Sequence, residues 1–264
     1  MSTKIIVGIT TTPIRLNAIG RTILSLLSQS KKPDEIVLTI PKTSARFGTP
    51  YEIKDMLLLR LIELKKITLN EINDDYGPAT KFVGLILKNY HPDDILIWVD
   101  DDIVYNSFVV EKLISIIQPN NAVGLSGFNF DINGNYCKVV SHLGIAEVLE
   151  GYLGVACYKK NMPIINDFEK YNIRSQTFES LKIINKVVKA QFLSDDYIIS
   201  TFFKLTNILN IVYCKQEFFF GNCVQILDIG NKEDALHNQV GGNMYNYNLL
   251  RNNNTKTFIS SYKW

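Results

Sequence analysis

The stretch Ile95-Leu96-Ile97-Trp98-Val99-Asp100-Asp101-Asp102 is an apolar, β-branched run that stops abruptly in three carboxylates. A run of this kind reads as a strand buried on both faces at the centre of a parallel sheet. Three neighbouring acids at its end cannot all ionise in a dry place without a counter-cation, because like charges raise one another's pKa. A hard divalent metal that also carries phosphate oxygens resolves the conflict, since Mg2+ and Mn2+ favour carboxylate and phosphate ligands. The plainer alternative is a solvated loop in which Asp102 caps whatever follows.

Working outward, the flanking segments alternate between two periodicities. Lys4 to Thr10 is a β-branched run, followed by the polar loop Thr11-Thr12-Pro13. Ile19, Ile23, Leu24, Leu26 and Leu27 then fall on one helical face before Pro33 closes the segment. Glu35 to Ile40 reads as a strand, Tyr51 to Lys65 as a helix and Ile67 to Ile72 as a third strand. A turn at Asp74 to Pro78 leads into a helix expected over Ala79 to Lys88, with Pro78 suited to its first position. Beyond the acidic triplet a helix is expected near Phe108 to Ile117 and a strand around Ala122 to Phe128. Strand–helix alternation predicts an α/β fold: a Rossmann-like, mostly parallel sheet with helices on both faces. After about residue 130 the pattern weakens. Tyr136 to His142 and Leu153 to Tyr158 read as strands, Thr177 to Ala190 and Asp195 to Leu205 as helices, and the tail from Asp228 as loop. No linker or repeat interrupts the chain, so the expectation is one domain over 1–264. Its nucleotide-binding half would run to about residue 102, and a less regular acceptor-side half would cover 103–264.

Composition narrows the class. At 264 residues, 46% hydrophobic and 20% charged, the chain is globular and long enough for a substantial core. A formal net charge of +2 without a basic block gives no indication of nucleic-acid binding. Cys137, Cys157, Cys214 and Cys223 are widely spaced, which supports neither a zinc site nor a disulfide framework. Cys157 and Cys214, in apolar runs, read as buried thiols. No segment approaches the ~18 apolar residues of a membrane span, and the N-terminus lacks a signal-peptide core. The expected location is the cytoplasm.

Ligands of open α/β sheets sit beyond the carboxyl ends of the strands. Thr10, Thr12 and Arg15 follow the first strand, Asp75 and Lys81 the third, and Asp100 to Asp102 the central one. Lys81, in the first turn of its helix, is placed to hold phosphate together with the helix dipole and free N–H groups. Gly151 and Gly154 would let backbone approach a ligand. Ser194-Asp195-Asp196 suits a helix start with Ser194 as N-cap, or else supplies a carboxylate held rigidly as a general base. His237 stands alone in a polar tail, where a histidine is ordinarily solvated. His91 and His142 read as structural.

Taken in order, these marks resemble a nucleotide-sugar-dependent glycosyltransferase of the GT-A fold, similar to the inverting family 2. Such enzymes carry an Asp-x-Asp metal motif, a glycine loop, an acidic pair containing the base, and a late histidine. Here Asp100-Asp101-Asp102, Gly151-Tyr152-Leu153-Gly154, Asp195-Asp196 and His237 fall in that order. Thr12-Pro13-x-Arg15, Ser25-Leu26-Leu27-Ser28-Gln29 and Pro33-Asp34-Glu35-Ile36-Val37-Leu38 are similar to the family's first βαβ unit. Tyr76-Gly77-Pro78-Ala79-Thr80-Lys81 resembles its Gly-Pro-x-x-Lys element. The second acidic motif departs from the pattern, being Asp-Asp where many relatives have Glu-Asp.

The resemblance implies transfer of a sugar from a nucleoside diphosphate to a hydroxyl of a glycan or other acceptor, with inversion. Asp100 would face the ribose or nucleoside, and Asp102, with Asp100 and His237, would bind Mn2+ or Mg2+ on the diphosphate. Thr10, Thr12, Arg15, Asp75, Lys81 and Asp101 would contact the nucleotide, and Gly151 and Gly154 would border donor sugar and acceptor. The base would be Asp196, with Asp195 beside it, and a UDP-sugar is the expected donor. Two alternatives fit some of the same residues. One is a sugar-1-phosphate nucleotidyltransferase, disfavoured by the lack of a glycine-rich loop after the first strand. The other is a non-catalytic nucleotide-sugar-binding module.

Overall fold

The computed structural model describes residues 2–131, 136–138, 143–164, 195–213 and 224–225. Among the described residues eight strands form the main sheet, in the order Thr68–Ile72, Glu35–Pro41, Ile5–Ile9, Ile95–Val99, Val155–Tyr158, Asn121–Gly124, Leu209–Val212 and Gly144–Ile145. Its first half is the parallel set β1 (Ile5–Ile9), β2 (Glu35–Pro41), β3 (Thr68–Ile72) and β4 (Ile95–Val99). Helices α1 (Gly20–Leu27), α2 (Met56–Glu63) and α3 (Thr80–Ile86) cross between them. After the short β5 (Ile103–Val104) come α4 (Val109–Ile116), β6 (Asn121–Gly124) and β7 (Gly127–Phe130). Next are β8 (Tyr136–Lys138), β9 (Gly144–Ile145), β10 (Val148–Leu149) and β11 (Val155–Tyr158). The last described elements are α5 (Asp195–Leu205), β12 (Leu209–Val212) and β13 (Val224–Gln225), the last pairing with β5.

The period-2 geometry of strands sorts the core into two layers. Ile5, Val7, Ile9, Ile95, Ile97 and Val99 pack with α1, α2 and α4 on one face. Ile6, Leu96 and Trp98 pack with α3 and α5 on the other, where Trp98 lies between Phe82 and Phe203 at ring separations of 5.6 and 6.3 Å. Ile95 to Val99 is therefore buried throughout, as its sequence demands. The expected mostly parallel sheet flanked by helices is what the chain forms. Cys157 is buried at its centre. Among the described residues no helix is long and apolar enough to cross a membrane.

Several boundaries differ from the sequence reading. Only Met56–Glu63 of the expected helix Tyr51 to Lys65 is helical. Asp55 caps it by accepting from Leu58 N–H at 2.7 Å, and Asn17 holds the Lys54 and Asp55 N–H groups ahead of it. The helix expected from Ala79 opens instead as a 3-10 turn over Gly77–Ala79, with Pro78 inside it. Ala122 to Phe128 is not one strand. It breaks at Leu125-Ser126 into β6 of the main sheet and β7 of a three-stranded sheet ordered β10-β7-β8. The strand expected from Leu153 starts at Val155, after a 3-10 turn over Gly151–Leu153. Residues 139–142, the expected helix at 177–190 and the tail from 228 lie outside the described residues.

Two features of this frame place the site. Ile9 pairs with Val99, so the loops after β1 and β4 leave the sheet side by side. β11 runs antiparallel to β4 with Val155 opposite Trp98, so its preceding turn meets the same carboxyl-terminal edge. Gly154 makes the entry with φ +98°, a conformation that side chains rarely adopt.

Candidate active site

Each member of the acidic triplet has its own surroundings. Asp101 is buried. It accepts from Thr11 Oγ1 at 2.6 Å and from Arg15 Nη1 at 3.0 Å, and its carbonyl accepts from Thr22 Oγ1 at 2.8 Å. Burial pushes the Asp101 carboxyl up from its ordinary pKa, against the opposing pull of Arg15 and Thr11. Asp102 lies 3.6 Å from the same Arg15 nitrogen. Asp100 is the most open of the three, its side chain 35% exposed.

Lys81 fixes the centre. Its side chain is only 4% exposed, and its ammonium lies 2.6 Å from Asp100 Oδ1 and 2.9 Å from Asp195 Oδ2. The contact with Asp195 is an ion pair without hydrogen-bond alignment. Burial alone would lower the lysine pKa, but Asp100, Asp195 and Asp196 together hold it well above the ordinary value. The ammonium does not stand free at a helix start awaiting phosphate, as the sequence suggested. Three carboxylates surround it instead: Asp100, Asp195 and Asp196.

The glycine loop closes over this group. Gly151 N–H donates to Asp196 Oδ1 at 3.0 Å, and a Cβ built on Gly151 would stand 3.1 Å from both that oxygen and Lys81 Nζ. A larger residue there would wedge the lysine away from the acids. Gly154 lies at the sheet edge rather than against the charges. The sequence-predicted residues Lys81, Asp100, Gly151, Asp195 and Asp196 are thus joined in one connected cluster.

Other expected residues serve the walls. Thr10 Oγ1 donates to the Thr39 carbonyl at 2.8 Å, and Thr12 Oγ1 accepts from Arg15 N–H at 3.4 Å. Asp75 is buried, its carboxylate accepting from Ala45 N–H at 2.7 Å and Gly77 N–H at 2.8 Å. It ties the loop after β2 to the turn before α3. Tyr51 donates to the Thr11 carbonyl at 3.0 Å, and burial, helped by Asp75, raises its hydroxyl pKa so that it stays a donor. Ser194 and His237 lie outside the described residues.

Some contributors went unread in the sequence. Thr11, between the two threonines singled out, is the one that reaches the triplet. The Tyr105 hydroxyl accepts from Asp100 N–H at 2.9 Å and donates to the Tyr152 carbonyl at 2.9 Å, joining the triplet to the glycine loop. Ser25 Oγ accepts from Tyr105 N–H at 3.0 Å. Buried Glu150 accepts from Ser126 Oγ at 2.6 Å just ahead of Gly151. Polar residues inside otherwise apolar segments, such as Thr22 and Ser25 within α1, are the signal that pointed here, since such groups are buried only with partners.

More carboxylates than cations meet at this edge: Asp100, Asp102, Asp195 and Asp196 face Lys81 and Arg15. That surplus, in hard oxygen donors, fits a divalent cation. Among the described residues no three His, Cys, Asp or Glu side chains are gathered into a ready ligand set.

No family model matches the chain, and no curated protein matches it in sequence. Solved structures do resemble it. Staphylococcus aureus TarS superposes with a TM-score of 0.51 at 11% identity over 81% of this chain and 36% of TarS. Mycobacterium tuberculosis glucosyl-3-phosphoglycerate synthase, solved with Mn2+, UDP and glucosyl-3-phosphoglycerate, gives 0.41 at 12% identity over 74% of this chain and 80% of that one. Anaerococcus prevotii 4-diphosphocytidyl-2C-methyl-D-erythritol synthase gives 0.40 at 15% identity over 69% and 85%. The chain thus spans about a third of TarS, and the likeness is one of fold: the architecture is the GT-A fold.

Proposed function

We propose that this protein is a metal-dependent glycosyltransferase, moving a sugar from a nucleoside diphosphate, UDP in the first instance, to an acceptor hydroxyl. The observation that carries the reading is the junction of two acidic motifs through Lys81, which sets Asp100 at the end of β4 against Asp195 at the start of α5. Carboxylates that converge from distant segments on the ligand-binding edge of an α/β sheet are the arrangement expected of a catalytic site.

In this reading the half before residue 103 binds donor and the half after it presents acceptor. Thr10, Thr12 and Arg15 line the nucleotide, while Asp75 and Asp101 hold the loops that shape its pocket. Asp102, with Asp100 beside it, would hold Mn2+ or Mg2+, the remaining ligands coming from the diphosphate, as is usual for Mg2+ sites; His237 is proposed as a further ligand. The cation's contribution is to neutralise charge on the departing diphosphate. Asp196 accepts the proton of the acceptor hydroxyl, whose oxygen forms the new bond to the anomeric carbon as the bond to diphosphate breaks on the opposite side. That single displacement inverts the anomeric centre.

The test is release of UDP from UDP-sugars with Mn2+, repeated in EDTA and with Asp102→Asn. Turnover that depends on the cation and disappears in a folded Asp102→Asn protein is the expected result. Full turnover in EDTA, or no turnover and no affinity for any nucleoside diphosphate, overturns the reading.

A further inference from the structure

Lys81 is buried, with its ammonium held between carboxylates from two segments. Its ammonium contacts one carboxylate at the end of the donor-side strand β4 and one from α5, and Gly151, in a third segment, leaves no room for a side chain beside it. The cost of burying such a charge is offset only by partners held in good geometry. α3, which supplies it, is itself fixed: a Cβ at Gly8 would overlap the Lys81 carbonyl, and one at Gly84 would overlap Thr39. The lysine backbone is therefore packed directly against β1, with its ammonium between the acids.

We propose that Lys81 is a positioning residue: the shared buried counter-ion of Asp100 and Asp195, which sets the donor-side acid against the start of the acceptor-side helix without itself touching the donor. The proposal deepens the glycosyltransferase reading and rests on it. It makes a statement that a phosphate-binding lysine does not. Loss of the ammonium damages the donor site indirectly, through repulsion among the carboxylates left behind. Removing one of those carboxylates then repairs part of the damage.

The test is a cycle of four full-length proteins: wild type, Lys81→Met, Asp195→Asn and the double variant. Lys81→Met, with buried Asp195 and half-buried Asp100 left without their cation, is expected to lose roughly 5–15 °C in Tm, and the double variant to regain much of that loss. UDP with Mn2+ is titrated calorimetrically at a temperature where all four are folded. Lys81→Met is expected to bind on the order of tenfold more weakly, and the double variant severalfold better than Lys81→Met. Recovery of affinity is the readout that neither a direct phosphate contact nor a purely structural ion pair would give. If Lys81→Met is too unstable to purify, a folded double variant supports the proposal, and one that also fails to fold overturns it. A double variant binding no better than Lys81→Met overturns the positioning role. Additive losses of Tm overturn the shared ion pair itself, even if wild type binds no nucleotide and the glycosyltransferase reading falls on its own account.

Discussion

Asp195 and Asp196 are neighbours in sequence with different tasks in space. Asp195 is buried against Lys81, whereas Asp196 is the more exposed of the two and receives the Gly151 N–H on one oxygen. Asp196→Asn keeps the volume and that oxygen while removing the ability to take a proton. Its turnover is expected to fall by about 10² to 10⁴ with UDP and Mn2+ affinity retained, measured by UDP release beside calorimetry. An active Asp196→Asn beside an inactive Asp195→Asn would move the base one residue. Asp75 makes a prediction about pH. Burial raises its pKa above the ordinary 3.8, against the two backbone N–H groups that favour the anion. The folded protein therefore holds this proton to higher pH than the unfolded chain does, and the carboxyl's contribution to stability falls as pH rises through that window. The stability advantage of wild type over Asp75→Asn should accordingly be larger near pH 4 than at pH 7. Denaturant melts at the two pH values check it, and an advantage that grows with pH would mean that the pKa is lowered instead.

The elements that carry these residues differ in how plainly the sequence announced them. α3 is held close to the sheet by Gly8 and Gly84, and Gly84→Ala would drive a methyl into Thr39. The expected cost is about 1–3 kcal/mol from overpacking, read from denaturant unfolding. Thr39→Ala in the same chain should return part of it, and additive losses would show that the clash is not the cause. No local pattern marks either glycine as a contact, since each depends on an element brought alongside by folding. By contrast β1, β2 and β4 were legible within a residue or so, because strands buried on both faces must be apolar throughout. α5 was legible at both ends, Asp195 to Leu205. The stretch Ala122 to Phe128 was misread because one largely apolar run serves two sheets, and Gly124, Ser126 and Gly127 around the switch were read through as strand. Tyr51 to Lys65 was read too long because residues ahead of Asp55 are held by Asn17, a long-range contact that periodicity does not register. Among the residues that meet at this edge, the acids and Gly151 were singled out because charge and glycine are conspicuous. Lys81 was singled out without its carboxylate neighbours, and Tyr105 was passed over because a tyrosine after a strand looks like any other core residue.

At the scale of the whole molecule, the polar cluster at the sheet's carboxyl-terminal edge is built from segments across the chain: loops after β1, β2 and β4, the start of α3, the turn before β11 and the start of α5. A ligand gripping all of these binds only the folded chain, so it must raise the unfolding temperature by mass action. At about 100 times its dissociation constant a single ligand adds about 2.7 kcal/mol, which for a chain of this size corresponds to roughly 5–10 °C. UDP with Mn2+ is expected to give a shift in that range, and GDP and dTDP smaller ones. UDP without the cation should give little, because the acids at the edge already outnumber the cations and a diphosphate brings more negative charge. Asp102→Asn should remove the part of the shift that depends on Mn2+ and leave the unliganded Tm near that of wild type. Equal shifts with and without the cation would place the diphosphate against protein cations rather than metal. A larger shift with GDP than with UDP would instead keep the enzyme class and change the donor.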